Sequence, residues 1–162
     1  MTSPRSPAAR SRFPPPPPSA MAVELEIPFH HVDVLGIVWH GHYPEYLDLA
    51  RTALLRSRRL DTEDLRALGF RLVVSESFVH HASPLRYGDR ARVTAWFGEV
   101  ENRLHIGYQI RNLTSGALAA EAWTDFVTTT GDGSLYLETP PPVLERLRAP
   151  GPGSAELEPG GG

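Results

Sequence analysis

The stretch 104-LHIGYQIR-111 decides the fold class of this chain. Apolar Leu104, Ile106, Tyr108 and Ile110 take every second position, and small or polar residues stand between them. A period of two is typical of a strand with one face in the core. The same alternation, held over at least eight residues, predicts four strands: 71–82, 90–100, 103–112 and 117–130.

The segments that follow each of these strands are rich in turn-forming residues. They comprise residues 83–89, 101–102, 114–116 and 131–133. Connections this short join antiparallel neighbours. We therefore expect the four strands to pair in the order in which they follow one another along the chain.

Upstream of these strands the apolar residues take a helical spacing. Residues 44–58 begin with Pro44, which is favoured in a first helical turn, and repeat apolar side chains along one face. A second, short helix is predicted over 62–68, ending near Gly69. Before both helices, the alternating residues 23–27 predict one more strand. An α+β domain with one antiparallel sheet and one long helix accounts for this order.

The two ends of the chain lack the pattern of a folded core. Residues 1–21 contain three arginines, no acidic residue and five consecutive prolines. Proline runs favour polyproline II and cannot donate backbone hydrogen bonds, so we predict a disordered tail, with Met21 as an alternative start. Residues 149–162 are rich in Gly and Pro and are predicted to be disordered as well. A single domain is expected over 22–148.

The composition excludes several classes of protein. The chain has no cysteine, which excludes disulfides, thiolate zinc sites and cysteine nucleophiles. All 16 basic residues are arginine, which excludes Schiff-base chemistry on lysine. The net charge is −3 and the predicted domain is more acidic than the tails, so no nucleic-acid partner is expected. Apolar runs long enough for a membrane are missing from the sequence, and we expect a cytoplasmic protein.

The residues with the most chemical potential lie together in 29-FHHVDVLGIVWHGHYPEYLDLAR-51. Asp33 lies in a predicted loop with Gly36 after it, and His40 and His42 come at the entry of the long helix. The free N–H groups of a helix start suit an anion, or a carbonyl that becomes an oxyanion. A carboxylate directed at the same place can activate water or attack directly. The structural alternative is that Asp33 caps a helix, although it lies some ten residues before the regular helix.

This segment resembles the active-site signature of the 4-hydroxybenzoyl-CoA thioesterases and their acyl-CoA thioesterase relatives. The positions that fall on the pattern are Asp33, Gly36, Ile37, Val38, Trp39, His40, Tyr43, Tyr46, Ala50 and Arg51. Residues 84-PLRYGD-89 are similar to the family's turn between its second and third strands. The resemblance covers nearly all of the predicted domain. It implies a hotdog fold, in which a five-stranded antiparallel sheet wraps around one long central helix.

The resemblance also implies roles for individual residues. Asp33 would be the catalytic carboxylate, as nucleophile or general base, and the backbone N–H of His40 would polarise the thioester carbonyl. The His40 side chain would orient substrate or water, and Gly36 would let the backbone turn close to the thioester. The further candidates for substrate binding are Val38, Trp39, Tyr43 and Arg86. Trp39 would line the acyl pocket or anchor the helix, and Arg86 would meet CoA phosphates or solvent.

The expected substrates are thioesters of CoA or of acyl carrier protein, hydrolysed to acid and thiol without a cofactor. No metal site is expected, because adjacent residues such as His30 and His31 point to opposite faces of an extended segment. Long unpaired sheet edges predict a homodimer or homotetramer. Two alternatives remain open. They are a non-catalytic module that binds acyl thioesters, and a hotdog dehydratase in which a histidine works with Glu45.

Overall fold

The computed structural model describes residues 11–151 of the 162-residue chain. Its strands are β1 (Met21–Glu26), β2 (Phe70–His81), β3 (Arg90–Phe97), β4 (Leu104–Asn112) and β5 (Leu118–Thr130). Its helices are α1 (Tyr43–Ser57), α2 (Thr62–Leu68) and α3 (Pro141–Arg148), and two 3-10 turns, Phe29–His31 and His40–His42, precede α1. In this part of the chain, no helix combines the length and the apolarity that crossing a bilayer demands.

The five strands form one antiparallel sheet in the order β1-β3-β4-β5-β2. The strands β3, β4 and β5 pair in chain order, as predicted. The predicted pairing of β2 with β3 is wrong, because β2 pairs with β5 and β3 pairs with β1. The connection 82–89 does not close a hairpin: its backbone bonds instead to Val38 and Ile27, on the segment that follows β1.

The long helix α1 lies against β1 and β3 and turns its apolar face to the core. The buried side chains on that face are Tyr43, Tyr46, Leu47, Ala50, Leu54 and Leu55. They recur at the three- and four-residue spacing of a helix with one buried side. Opposite them, Ala91, Val93 and Ala95 of β3 are fully buried. The predicted five-stranded antiparallel sheet with one long central helix is confirmed.

The short helix α2 lies where the sequence predicts it. The Asp61 carboxylate accepts a hydrogen bond from the Thr62 N–H (2.8 Å), and the Asp64 carboxylate accepts one from the Asp61 N–H (3.1 Å). Together with a bond from the Asp64 N–H to the Asp61 side chain, the second of these bonds forms a capping box. The helix ends at Gly69, whose φ of 84° is the left-handed conformation of a helix C-cap.

Beyond β5, the structure contains a helix that the apolar periodicity did not predict. α3 has eight residues and begins with Pro141 and Pro142, which a first helical turn tolerates. Val143 and Leu147 are its buried residues. Two buried positions in two turns give too short a pattern to distinguish this helix from a loop.

The described part of the predicted N-terminal tail lies against the sheet. The backbone N–H of Arg12 donates to the carboxylate of Glu121 (2.9 Å), and the Ser11 hydroxyl and the Phe13 N–H bond to the same carboxylate. Glu121 is fully buried under this segment. The first ten and the last eleven residues of the chain, which belong to the two predicted tails, lie outside the described residues.

Candidate active site

The loop between β1 and α1 folds back on itself around Asp33. Val32 and Val38 form an isolated antiparallel bridge. Inside it, the Asp33 N–H donates to the Ile37 carbonyl (2.9 Å), and the Gly36 N–H donates to the Asp33 carbonyl (2.9 Å). Gly36 has a φ of 75°, a conformation that strains residues with a side chain. The tight turn therefore explains why glycine stands at this position.

The carboxylate of Asp33 is half-buried and uses one of its two oxygens. Its Oδ1 accepts a hydrogen bond from the Leu35 N–H (2.8 Å). Within residues 11–151, no hydrogen bond of the structure ends on its Oδ2. The N-cap residue of α1 is His42, so Asp33 does not cap this helix. Its structural contribution is local, to its own turn, and one oxygen remains available.

The start of α1 is the second component of the site. His40, Gly41 and His42 form a 3-10 turn, in which the His42 N–H donates to the Trp39 carbonyl (3.0 Å). In the described region, the N–H groups of His40 and Gly41 donate no hydrogen bond. Such groups carry a partial positive charge and can bind an anion or a polarised carbonyl oxygen. A bond from the Trp39 N–H to the His31 carbonyl (3.0 Å) ties the turn to the loop of Asp33.

The ring of Trp39 lies over this 3-10 turn. It is 48% exposed, and its centre is 5.3 Å from the centre of the His40 ring. Trp39 therefore lines the surface next to His40 and does not anchor α1 in the core. A Cβ atom on Gly41 would lie 2.1 Å from the Trp39 ring, so this ring position requires glycine. The sequence analysis missed Gly41, because the contact depends on the side-chain conformation of Trp39.

Val38 and Tyr43 lie beneath this surface, in the core. Their exposed fractions are 4% and 3%. The Val38 N–H donates to the Leu85 carbonyl (2.8 Å), which attaches the loop to the turn before β3. Burial raises the pKa of the Tyr43 hydroxyl, and a hydrogen bond to the Leu85 backbone opposes this effect. Both residues pack in the core directly under the site. Direct contact of either one with a substrate stays a prediction.

His81, at the end of β2, also borders the site, whereas its sequence context favours a strand end exposed near the loop. Its ring meets the Tyr43 ring edge-on, with 4.4 Å between the centres. Burial lowers the pKa of His81, and the charges of His40 and His80 lower it further. Because the charge of His40 acts on the pKa of His81, the two imidazoles lie close enough to interact. The pair His80–His81 at the end of a predicted strand is the sign of this in the sequence.

Arg86 is exposed in the turn between β2 and β3. Its backbone N–H donates to Asp89 Oδ2 (2.8 Å). The ring of its neighbour Tyr87 meets the ring of Phe29 edge-on, with 5.6 Å between the centres. The turn that carries Arg86 therefore borders the loop that carries Asp33, as a substrate-binding role would require.

Three more polar residues meet beside this loop. The candidate ligand atoms of His31, His42 and Glu45 lie within 4.8 Å of one another. Burial, followed by the charge of His42, lowers the pKa of His31. The expectation of no metal site was based on the adjacent pair His30–His31, whereas the folded loop brings His31 to residues of α1.

A separate groove lies between α1, α2 and β2, towards the C-terminal end of α1. Its lining includes Arg51, Leu55, Leu65, Arg66, Arg71 and Phe126. The Arg51 guanidinium lies 5.1 Å from the centre of the Phe126 ring and pairs with Asp48 (3.1 Å). The loop of Asp33 contributes nothing to the groove lining. Asp33 and the start of α1, where the polar groups converge, therefore form the candidate site.

The family model of the thioesterase-like superfamily matches residues 27–147 of this chain. The chain belongs to this superfamily. The match includes the loop of Asp33, α1, and every strand except β1.

Individual relatives agree with this identification. A Synechocystis protein provisionally named an esterase is 32% identical over 120 residues, which are 73% of this chain and 72% of that protein. A Bacillus subtilis protein provisionally named an acyl-CoA thioesterase is 28% identical over 105 residues, 64% of this chain and 75% of that one. The solved DHNA-CoA thioesterase of Staphylococcus aureus has a TM-score of 0.67 and 21% identity, over 73% of this chain and 80% of its own.

The resemblance to the hotdog thioesterases is thereby confirmed, together with the predicted fold. Thioester hydrolysis is the general chemistry of the superfamily to which this chain belongs.

Proposed function

We propose that this protein hydrolyses acyl-CoA thioesters to a free acid and CoA, with Asp33 as the reacting group. One observation carries the proposal. The Asp33 carboxylate, with one available oxygen, and the unpaired N–H groups of His40 and Gly41 belong to one segment that backbone hydrogen bonds hold together. The Val32–Val38 bridge and the bond from Trp39 to His31 hold this segment together. Acyl transfer requires these components. Thioesters of acyl carrier protein are the alternative substrates.

Two routes through Asp33 give the same products. As a general base, the carboxylate takes a proton from water and the resulting hydroxide adds to the carbonyl carbon. The C–S bond then breaks, and the departing thiolate takes the proton from Asp33. As a nucleophile, a carboxylate oxygen adds to that carbon and the thiolate leaves, which forms a mixed anhydride that water then hydrolyses. A positioned base contributes about 10²–10⁴-fold to the rate.

The start of α1 has the electrostatic role. Addition to the thioester places negative charge on the carbonyl oxygen, and the N–H groups of His40 and Gly41 stabilise that charge. A single donor of this kind contributes about 3–4 kcal/mol to the stability of the transition state. The imidazole of His40 is exposed beside these donors and orients the substrate or the attacking water.

The apolar surface around the loop supports binding of the acyl group. Phe29 and Leu35 are both 72% exposed, Tyr87 is 62% exposed, and Trp39 adds its half-exposed ring. Large apolar side chains on one surface mark binding sites for ligands or partners. The guanidinium of Arg86 has the fixed fork of donors that suits the phosphates of CoA.

The proposed enzyme acts as a homodimer or homotetramer. β2 is an edge strand of the sheet, and it exposes Val73, Val74 and Phe78 by 47%, 50% and 43%. An exposed apolar edge strand is a surface on which a second chain adds strands. A second copy would cover this edge, and we expect it to complete the walls of the substrate site.

The direct test measures thiol release from a panel of purified aromatic and aliphatic acyl-CoAs, with matched acyl-carrier-protein thioesters. Hydrolysis of at least one CoA thioester supports the proposal. Turnover of carrier-protein thioesters alone would mean that the substrate is carried by acyl carrier protein and not by CoA. Absence of turnover with tight acyl-CoA binding would favour the non-catalytic module. Because the proposed route uses no ion, dialysis against EDTA should leave the rate unchanged.

Oxygen-18 can identify a nucleophilic Asp33. Single turnovers in labelled water place the label in the product acid if Asp33 is a general base. Water attack on the aspartyl side of the anhydride instead places label in Asp33, which peptide mass spectrometry detects. A labelled peptide therefore supports the nucleophile. An unlabelled peptide is the result for the base, and equally for a nucleophile whose anhydride water attacks at the acyl carbon.

A mixing experiment tests the shared site. Asp33→Asn and Arg86→Glu chains are each prepared, then unfolded and refolded together. If the two residues serve one site from different subunits, the mixture regains part of the activity. Two inactive proteins that stay inactive when mixed, or a fully active monomer in light scattering, would contradict a site shared in this way.

The dehydratase alternative has one structural observation in its favour. His42 Nδ1 lies 3.2 Å from Glu45 Oε1, which is a histidine paired with an acid on α1. This reaction would interconvert a 3-hydroxyacyl thioester and an enoyl thioester, with a change in ultraviolet absorbance and no free thiol. An absorbance change that Glu45→Gln abolishes would favour the dehydratase over hydrolysis.

A further inference from the structure

We propose that His31, His42 and Glu45 form a binding site for a divalent first-row transition-metal ion of the Zn²⁺ type. One potential ligand atom from each residue lies within 4.8 Å of the other two. Two imidazoles and one carboxylate are a common protein ligand set for zinc, with a water molecule in the fourth position. The inference does not depend on the proposed thioesterase mechanism.

The three residues come from two elements that the backbone already joins. His31 ends the first 3-10 turn, and its carbonyl accepts from the Trp39 N–H (3.0 Å). His42 and Glu45 lie three positions apart at the start of α1, which places them on one side of the helix. An ion at this point would connect the loop of Asp33 to the first turn of α1.

Tyr46 prepares His31 for this role. The His31 Nδ1 lies 2.7 Å from the Tyr46 hydroxyl oxygen, and Tyr46 is 1% exposed. When the His31 Nδ1–H donates to this oxygen, Nε2 is left with its lone pair. Ligand histidines are commonly held in this way, with the second nitrogen bonded to a fixed partner.

Binding requires a limited movement of side chains. The rings of His31 and His42 stack at 4.0 Å with 10° between their planes, whereas a bound ion must lie in the plane of each ring. The side chains of His42 and Glu45 are 21% and 61% exposed, so they can turn towards His31 without opening the core. Tyr46 keeps His31 in place during this movement.

The charges at the site favour a cation. The helix start carries a partial positive charge, and the Glu45 carboxylate in the first turn offsets it. Neutral imidazoles add no charge, so Glu45 supplies the anionic ligand. Imidazole nitrogen suits zinc, copper, iron and nickel, whereas magnesium and calcium prefer oxygen ligands. We therefore expect selectivity for transition metals over Mg²⁺ and Ca²⁺.

The experiment uses the full chain without an affinity tag, stripped of metal with EDTA and titrated with Co²⁺ and then Zn²⁺. We expect Co²⁺ to give visible d–d absorption at one ion per chain, and Zn²⁺ to displace it and raise the melting temperature. Glu45→Gln and His42→Gln should each weaken Zn²⁺ binding by more than about 100-fold, because even the loss of an outer partner costs 10–100-fold.

The matched control is His30→Gln, which removes an exposed histidine next to His31 that is not a member of the group. This variant should keep the Co²⁺ spectrum and the affinity. Circular dichroism of each variant establishes that it is folded. Tyr46→Phe, if folded, should weaken binding by about tenfold or more. Absence of d–d absorption, an affinity that Glu45→Gln leaves unchanged, or an equal loss in His30→Gln would overturn the proposal.

Discussion

Asp33 and Asp89 lie in two neighbouring turns of the molecule, and their carboxylates have different partners. Oδ2 of Asp89 accepts from the Arg86 N–H (2.8 Å) and from the Asn112 side-chain amide (2.8 Å). Asn112 is 3% exposed, so this bond joins the turn to the interior of the sheet. Among the described residues, the Asp33 carboxylate accepts only from the Leu35 N–H (2.8 Å), two residues along the chain.

The difference separates a structural carboxylate from one that is free to react. If Asp89 turned towards a substrate, it would leave a buried amide without a partner, which costs about 1–3 kcal/mol. If Asp33 did so, it would keep its local bond through one oxygen and present the other. Both residues belong to segments that resemble the family, so the resemblance alone does not tell them apart. The contacts do, and the same substitution at both positions tests the distinction.

The largest effect is expected for Asp33→Asn. The side-chain amide keeps the shape of the turn and an oxygen for the Leu35 N–H, but it is a far weaker base and nucleophile. We expect kcat to fall by about 10²-fold or more, with an unchanged melting temperature. Steady-state thiol release and thermal unfolding by circular dichroism measure the two quantities. An unchanged kcat would show that Asp33, like Asp89, is structural.

The second effect tests whether kcat depends on the geometry of the helix start as strongly as on the Asp33 carboxylate. In Gly41→Ala, the new Cβ would lie 2.1 Å from the Trp39 ring, so the ring or the turn must move. A displacement of about 1 Å at a reacting group can cost 10²-fold, and we expect kcat to fall by about 10- to 100-fold.

The cause can be separated from a general loss of structure. In a Trp39→Ala background the clash is absent, so Gly41→Ala should have little further effect on kcat there. A double-mutant cycle of the four proteins measures this coupling. Equal effects of Gly41→Ala in both backgrounds would mean that the glycine acts through the backbone and not through the position of Trp39.

The third effect is on stability. Asp89→Asn replaces the charged oxygen that accepts both hydrogen bonds with a neutral amide oxygen, so both bonds become weaker. We expect the free energy of unfolding to fall by about 1–3 kcal/mol and kcat to change much less than in Asp33→Asn. Urea unfolding measures the loss. The reverse pattern, with activity lost and stability kept, would make Asp89 the reactive carboxylate.

Much of the fold could be predicted because local periodicity encodes it. The period-two pattern of 104–111 and the glycine that follows α2 are properties of neighbouring residues, and both were predicted correctly. The pairing of β2 with β5 was not, because it depends on where residues 82–89 find partners for their backbone groups. α3 was missed because its two buried residues form too short a pattern.

The site divides in the same way. Asp33, Gly36 and His40 could be proposed from one continuous segment whose spacing is characteristic. His81 and the group of His31, His42 and Glu45 depend on contacts between distant segments, or on a loop that folds onto a helix. Their chemistry becomes apparent only when the distances are known.

The smallest effect concerns His81 and the pH dependence of stability. Burial, His40 and His80 lower the pKa of His81 below its usual value of 6.5. The unfolded chain therefore binds a proton at His81 more readily than the folded chain does, and stability rises with pH wherever this holds. The contribution of His81 is fully present above pH 6.5 and is lost as the pH falls from there through the lowered pKa.

His81→Gln should reduce the loss of unfolding free energy between about pH 7.5 and pH 5.5, measured by urea titration at each pH. Comparing each protein with itself across pH cancels the change in packing against Tyr43. If the pH dependence is the same with and without His81, the surroundings of His81 do not disfavour its positive charge. The difference from the turn of Asp89 would then rest on the Asp33 loop alone.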